Sequence, residues 1–327
     1  MRNNSNDFLR KAKKNKNDEF YTQMVDIQRE LEYYTNQFNS KIVYCNCDDP
    51  TRSNFYKFFA ENFHKLGLKK LISSCYVENE INLLNFNKKH FASGFYYEYT
   101  GKKEEKLIPT KYDLIPFRGD GDFRSQESIE LLKKSDVVVT NPPFSLFREH
   151  IEQIMKYDKE FLVIGNINAI TYKSIFNLIQ HNKAWMGVNM GRGISGFIVP
   201  EYYELYGTET KIDDEGNRII STNNNLWLTN LDNEKRHTDI PLTQTYNGNE
   251  TMYPKYDNYD GINVNKTVDI PKDYNGAMGV PITFLHKFNP EQFEIIKFRK
   301  GNDNKDLSVD GRCPYFRILI KNKRPNI

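Results

Sequence analysis

Apolar residues recur at steps of three and four through Met24, Ile27, Leu31, Tyr34 and Phe38, which predicts an amphipathic helix. A strand is expected at 41–46, and Phe55, Phe58, Phe59, Phe63 and Leu66 then mark the buried face of a second helix. The next strand is expected at 71–77. Phe95 to Tyr99 and Lys106 to Ile108 flank Gly101-Lys102, a pattern that predicts a hairpin. A short strand near 115–118 leads into Gly119-Asp120-Gly121-Asp122-Phe123, and the helix behind it carries Ile129, Leu131 and Leu132. Val137 to Thr140 reads as a buried strand. A helix through Phe147, Ile151, Ile154 and Met155, a strand at 161–165 and a helix at 172–180 complete the pattern. Strands alternating with helices in this way predict an α/β fold with a doubly wound, mainly parallel sheet.

After Val188 the pattern changes. Residues 189–280 are rich in Asn, Thr, Tyr, Gly and Asp, and Asn247-Gly248 and Asp260-Gly261 are hairpin-type turns. A β-rich insert is expected there. Strand character returns at Val280 to Leu285, and Asn289-Pro290 predicts a further helix with Pro290 in its first turn. The division expected is therefore 1–20, 21–188, 189–280 and 281–327, the last returning to the main sheet.

The chain has 327 residues and a formal charge of +3, too little to indicate nucleic acid by itself. Its distribution is more telling. Arg2, Arg10, Lys11, Lys13, Lys14 and Lys16 face a single Asp7 within the first 17 residues. Such an arm suits phosphate contact, though it suits a solvated tail as well. The cysteines Cys45, Cys47, Cys75 and Cys313 lack zinc spacing, and the six histidines form no HExxH, so no metal site is expected. No signal peptide and no apolar run of spanning length is visible, which predicts a soluble, cytoplasmic protein.

The candidate chemistry lies in loops that leave strands. Asn141-Pro142-Pro143-Phe144 follows Val137 to Thr140. Its tandem proline fixes two φ angles, and Asn141 is pushed toward extended geometry. The ledge presents an amide, main-chain carbonyls and an aromatic face, which suits a planar group bearing an exocyclic NH2. Three further loops carry acids: Asp48-Asp49-Pro50, Glu78-Asn79, and Asp120 to Phe123. In doubly wound sheets ligands bind beyond the carboxyl ends of the strands. Glu78 suits ribose hydroxyls, Asp120 or Asp122 an adenine NH2, and Phe123 a stacked ring. Each has a plainer alternative: Asp48 and Asp49 can cap the helix near Ser53, Glu78 can be a solvated strand end, and Asp120 and Asp122 can form a turn. Gly191-Arg192-Gly193-Ile194-Ser195-Gly196 matches the dinucleotide glycine spacing but runs into an extended segment, so it reads as a flexible turn.

Together these motifs resemble the EcoRI-type adenine-N6 DNA methyltransferases over nearly the whole chain. The residues involved are Lys16 to Thr22, Tyr44 to Pro50, Gly119 to Ser125, Thr140 to Phe144, Gly165 to Thr171 and Phe288 to Glu294. The first loop departs from the wider class, since Asp49 to Phe55 has no glycine. The resemblance implies a Rossmann-like methyltransferase sheet over 21–188 and a target-recognition region at 189–280. It implies S-adenosylmethionine as cofactor, with Phe20, Tyr21, Thr22, Asp48, Asp49, Pro50, Glu78, Asp120, Asp122 and Phe123 at its site. Asn141, Pro142, Pro143 and Phe144 are the implied catalytic residues, acting on N6 of a flipped adenine in double-stranded DNA. Lys13, Lys14, Lys16, Arg192, Lys211, Arg218, Lys235 and Arg236 are candidate DNA contacts, and Asn223 to Asn225 are candidate adenine readers or simply a polar loop. The resemblance implies a monomer and suggests GAATTC as the site; the sequence itself names neither the site nor a partner, and a cognate restriction endonuclease would act on the same site without direct contact. Two rivals stay open: an RNA or protein-glutamine N-methyltransferase, and a DNA-binding protein with a dead cofactor site.

Overall fold

The computed structural model describes residues 21–77, 93–200, 210–214, 216–221, 223–299, 307–313 and 316–326. The chain divides into two compact units. The first comprises Met1–Ala169 and Asn189–Leu231, the second Ile170–Val188 and Asp232–Ile327.

The first unit is a mixed α/β assembly. It begins with strand β1 (Tyr21–Thr22) and helix α1 (Met24–Leu31), which tightens into a 3-10 segment over Glu32–Gln37. Ile27, Leu31, Tyr34 and Phe38 are all buried on one face, as the spacing predicts. Then come β2 (Ile42–Cys45), α2 (Asn54–Glu61) and β3 (Lys70–Cys75). Ser53 caps α2 by accepting the Phe55 amide at 3.1 Å, a bond worth about 1 kcal/mol. Strands β4 (Phe95–Tyr99) and β5 (Ile115–Pro116) precede α3 (Gln126–Lys134), β6 (Val137–Thr140), α4 (Phe147–Lys156) and β7 (Glu160–Asn166).

Within this unit the large sheet runs β5-β4-β3-β2-β6-β7. The pairs β2/β3, β2/β6 and β6/β7 are parallel, while β3/β4 and β4/β5 are antiparallel. Val43, Val137, Val139, Leu162 and Ile164 belong to its dry core. Such continuous apolar strands are expected where both faces are covered. The chain leaves β2 for β3 on one side and later places β6 on the other. Strand order therefore reverses between β2 and β6, and a crevice is expected beyond their carboxyl ends.

The remaining strands depart from expectation. After α5 (Lys173–Gln180), β8 (Trp185–Met190) carries the chain across the boundary between the units. Strands β9 (Phe197–Val199), β10 (Thr210–Ile212) and β11 (Arg218–Ile220) form a small sheet with β1, in the order β1-β9-β11-β10. Strand β12 (Asn225–Thr229) pairs antiparallel with β7 and extends the large sheet. Residues 189–231 thus build onto the first unit rather than forming part of a separate insert. The short run Leu226-Trp227-Leu228, fully buried, was masked by its polar neighbours.

Two local expectations are also corrected. Lys106 to Ile108 is not a strand; β4 takes Ile115–Pro116 as its partner instead. Asn289-Pro290 starts no helix, because Asn289 closes a turn that receives the Glu291, Gln292 and Phe293 amides and delivers the chain into a strand. That strand is β15 (Phe293–Arg299) of the second unit, which joins β13 (Gly261–Asn263), β14 (Ala277–Pro281) and β16 (Arg317–Asn322) in the order β13-β14-β16-β15. The described strands after Pro281, β15 and β16, therefore join β13 and β14 in this second sheet rather than the large one. Pro281 ends β14, and Ile282–Lys287 is a 3-10 segment rather than more strand.

Candidate active site

Asn141 stands at the end of β6, where the crevice is expected. Pro142 is buried, and Pro143 (φ −53°, ψ 124°) leads into one 3-10 turn, Phe144–Leu146, closed by the Leu146 amide on the Pro143 carbonyl at 2.9 Å. Helix α4 follows at once. The Phe144 ring meets Phe197 of β9 edge-on, with centroids 5.5 Å apart.

The loop leaving β2 is braced against this ledge. Asp48 is 7% exposed, and its carboxylate accepts from Ser53 Oγ (2.7 Å), Thr140 Oγ1 (2.5 Å) and the Asn141 amide. Its own amide donates to Ser74 O at 2.9 Å, and its carbonyl accepts from Ser73 Oγ at 2.6 Å. Burial pushes its pKa up to about 6, although these three hydrogen bonds pull the other way. Asp48 thus ties the ends of β2, β3 and β6 together and is not a free cofactor acceptor. Asp49 accepts Thr51 twice, at 2.9 and 2.7 Å, and pairs with Arg52 Nε at 3.1 Å, while Pro50 is buried in the turn. The glycine-free loop is shaped by these side chains. The capping alternative holds in part: Ser53 is the cap, and Asp48 orients it.

Tyr21 and Thr22 do meet this loop. Asn54 Nδ2 donates to Thr22 O at 2.9 Å, and the Arg52 guanidinium lies 5.1 Å over the Tyr21 ring. Thr22 Oγ1 is buried without a hydrogen-bond partner among the described residues.

The third loop packs under β3. The Val77 amide donates to Asp120 O at 2.9 Å. Gly121 has φ +82°, and a Cβ there would lie 2.5 Å from Cys75 O, so glycine is required. The two acids part company. Asp122 is held by Arg124 Nε (2.9 Å) and NH2 (2.6 Å); burial opposes its charge, but Arg124 prevails and keeps its pKa below the usual value. Asp120 accepts the Asp122 amide through Oδ1 at 3.0 Å and keeps Oδ2 free among the described residues. Phe123 is only 5% exposed, edge-on to His150 with centroids 5.1 Å apart, and leaves little surface for a stacked ring, contrary to expectation.

His150 was not singled out by its pattern, although it shares the inner face of α4 with Phe147, Ile151 and Ile154. Its Nε2 lies 3.0 Å from Asn46 Oδ1, and burial lowers its pKa to about 3, so it is neutral. Gln153, one turn on, donates to Phe123 O at 3.2 Å. Cys45 and Cys47 are pushed well up, first by burial and then by Asp48, and stay thiols.

Among the DNA-contact candidates, Arg192 is exposed on a 3-10 turn, Gly191–Gly193. Cross-strand register places Arg218 opposite Val199 and Ile212, and Lys211 opposite Ile219. Side chains alternate along a strand, so Arg218 and Lys211 occupy opposite faces of the small sheet. Lys235 and Arg236 are both half-buried within the second unit. Lys235 Nζ donates to Val188 O at 2.6 Å, and Arg236 stacks 3.4 Å from the Trp185 ring and donates to Asn182 Oδ1 at 2.5 Å. Asn225 is fully buried in β12. Phe20, Glu78, Lys13, Lys14 and Lys16 lie outside the described residues. A cavity of about 240 Å³ lined by Asp239, Lys272, Gln292 and Arg324 belongs to the second unit and holds none of the candidates. Among the described residues no group of metal-ligating side chains occurs, and no helix is long and apolar enough to cross a membrane.

A family model described as adenine-specific methyltransferase EcoRI matches residues 8–323. The chain is 68% identical over 324 residues to the type II methyltransferase M.EcoRI of Escherichia coli, covering 99% of this chain and 98% of the relative. It is 37% identical over 332 residues to M.MgeORF184P of Mycoplasma genitalium, covering 96% and 98%. It is 36% identical over 335 residues to M.MpnI of Mycoplasma pneumoniae, covering 97% and 98%; both are named type II methyltransferases. No solved structure matches the chain significantly.

Proposed function

The chain belongs to the EcoRI family of adenine-specific methyltransferases and is a DNA adenine methyltransferase; we propose that S-adenosylmethionine is its donor and N6 of a flipped adenine in duplex DNA its acceptor. The observation that carries the reading is the Asn141–Phe144 ledge, held at the strand-order reversal by the Asp48–Thr140–Asn141 brace. The sheet is then a doubly wound, Rossmann-like one, with the cofactor beyond β2, β3 and β6 and sequence reading by later segments of the chain.

The site's own polar groups fit such a cofactor. Among the described residues Asp120 Oδ2 has no partner and suits an adenine NH2, and the Thr22 hydroxyl, also without one there, can accept or donate beside the first loop. Tyr21 lines the same edge, and Glu78 and Phe20 keep the roles that the family resemblance implies. Asp48, Asp49, Pro50, Asp122 and Phe123 act by shaping the loops. When bound, S-adenosylmethionine supplies a methyl made electrophilic by a sulfonium.

The chain's part is to prepare the acceptor. The N6 lone pair is delocalised into the ring and is a poor nucleophile. The Asn141 side-chain oxygen and the Pro142 carbonyl accept hydrogen bonds from the two N6 hydrogens and favour sp3 geometry, and N6 releases one proton to solvent once it carries the methyl. Phe144 stacks on the base, and Pro143 fixes the turn that presents it. Alignment rather than acid–base chemistry supplies the acceleration. Lys13, Lys14, Lys16, Arg192, Lys211 and Arg218 are the proposed phosphate contacts. The protein works as a cytoplasmic monomer, and a restriction endonuclease of the same specificity acts beside it without contact.

Labelled cofactor incubated separately with duplex DNA, RNA and a glutamine-bearing protein tests this reading. Label on N6 of adenine in DNA is expected. DNA binding without label in any substrate would overturn it, and label in RNA or protein would favour the rival chemistry.

A further inference from the structure

Helix α1 and the residue before it direct four side chains at one loop of their own unit. Gln23, just ahead of its first turn, donates to Gly196 O at 3.0 Å. Asp26 accepts the Ser195 amide at 2.9 Å and Ser195 Oγ at 2.6 Å. Arg29 donates to Gly193 O at 3.1 Å, and Glu30 accepts the Asn189 amide at 2.8 Å and Nδ2 at 2.9 Å. Asp26 and Glu30 are 1% and 0% exposed. Burying two carboxylates is costly unless they are fully bonded, so an apolar contact would hold a merely structural loop with less penalty.

The loop is also fixed from its other side. Gly196 has φ +116°, and a Cβ there would lie 2.5 Å from Ile220 O. The segment is a rigid strap, not the flexible turn its glycines suggest. One residue beyond Gly196 stands Phe197, whose ring is the edge against which Phe144 rests.

We propose that Asp26 and Glu30 are positioning residues for methyl transfer: they fix 189–196, which fixes Phe197, which sets the face of Phe144 offered to the target base. The proposal rests on the reading of Phe144 as the base-stacking residue. It adds a helix that touches neither substrate to the machinery that captures the adenine.

The test uses the full chain with single-turnover methylation, the cofactor KM, and the fluorescence of a duplex carrying 2-aminopurine at the target position. Asp26→Ala and Glu30→Ala are expected to lower the rate by roughly ten- to a hundredfold, with 2-aminopurine emission altered and the cofactor KM within about twofold. Glu30→Gln keeps an acceptor for Asn189 and is expected to recover most of the rate. Arg29→Ala lies on the exposed face, so it remains informative should the buried variants fail to fold. Its expected effect is a smaller rate loss with the same KM pattern. Rates at the unsubstituted level, or a rate loss matched by a rising cofactor KM in every variant including Arg29→Ala, would refute the strap. Asn141→Ala separates the two readings. If it is inactive while the α1 variants keep full rate, only the strap fails; if it is active, the base-holding ledge fails as well.

Discussion

Replacing Asp48 by Asn should change the pH dependence of stability in a calculable way. The carboxyl has a folded-state pKa of about 6 against an ordinary value of 3.8. The folded protein therefore binds this proton more tightly than the unfolded chain. Its stabilising contribution is complete below about pH 4 and is lost as pH rises through about 6. A shift of about two units corresponds to about 3 kcal/mol between those limits. The asparagine has no proton to lose, so it lacks this slope. Urea unfolding of both proteins at intervals between about pH 4 and pH 7 isolates the term, because other titrating groups are shared and cancel. The difference should favour the asparagine variant increasingly toward neutral pH. A difference independent of pH would show that Asp48 is not buried as an acid. The same variant tests the brace. The carboxylate accepts three donors, and an asparagine oxygen cannot serve all of them while its NH2 faces Thr140 or Ser53. Single-turnover methylation above pH 7 is expected to fall, with the acid limb near pH 6 removed.

The ledge, the phosphate contact and the strap each give a further expectation. Asn141→Ala should retain cofactor and DNA binding while kcat drops roughly 10²- to 10³-fold, as when a transition-state hydrogen bond is deleted, and an unchanged kcat would refute its role. Arg192→Ala should weaken DNA binding across sequences and reduce the slope of log K against log salt by about one. An unaltered slope would show that Arg192 meets no phosphate. Gly196→Ala places a side chain at φ +116° and 2.5 Å from a carbonyl, and should cost roughly 1–3 kcal/mol in urea unfolding. Full stability in that variant would mean the strap bends more easily than its geometry implies.

The fold was legible wherever a strand or helix announced itself by local period. Val137 to Thr140, the α4 face and the α1 stripe lie where hydrophobic spacing puts them. Errors arose where an element depends on a distant partner. Strand β12 spans five residues amid polar loops, and it pairs with β7, some sixty residues earlier, a partner no local pattern reveals. Asn289-Pro290 carries a good helix-start signal, yet β16 pairs with the residues behind it and draws them into a sheet. Average composition after residue 188 hid a chain that first returns to the first unit and only then leaves it.

The same distinction explains which parts of the site could be read. A tandem proline acts on its own backbone, so the shape of the Asn141 ledge is a local property. A carboxylate's role is not local. Asp48 and Asp120 look alike as acids in strand-end loops, but Asp48 meets Thr140 across 92 residues and is consumed, while Asp120 retains an oxygen among the described residues. Asp122 is taken by Arg124, two residues on, a pairing that spacing alone makes available without making it certain. His150 reaches Asn46 across 104 residues, and Asp26 reaches Ser195 across 169. Each of these long bonds places a polar group from one segment under the functional loop of another. The residues that touch substrate can therefore be proposed from motif and position, whereas those that hold them in place emerge only once the chain has closed on itself. That division predicts where a motif-preserving relative would differ. Substitutions at Asp48, Asp26 or Glu30 should be accompanied by changes at Thr140, Ser195 or Asn189, because an unpaired partner left in the core costs about 1–3 kcal/mol.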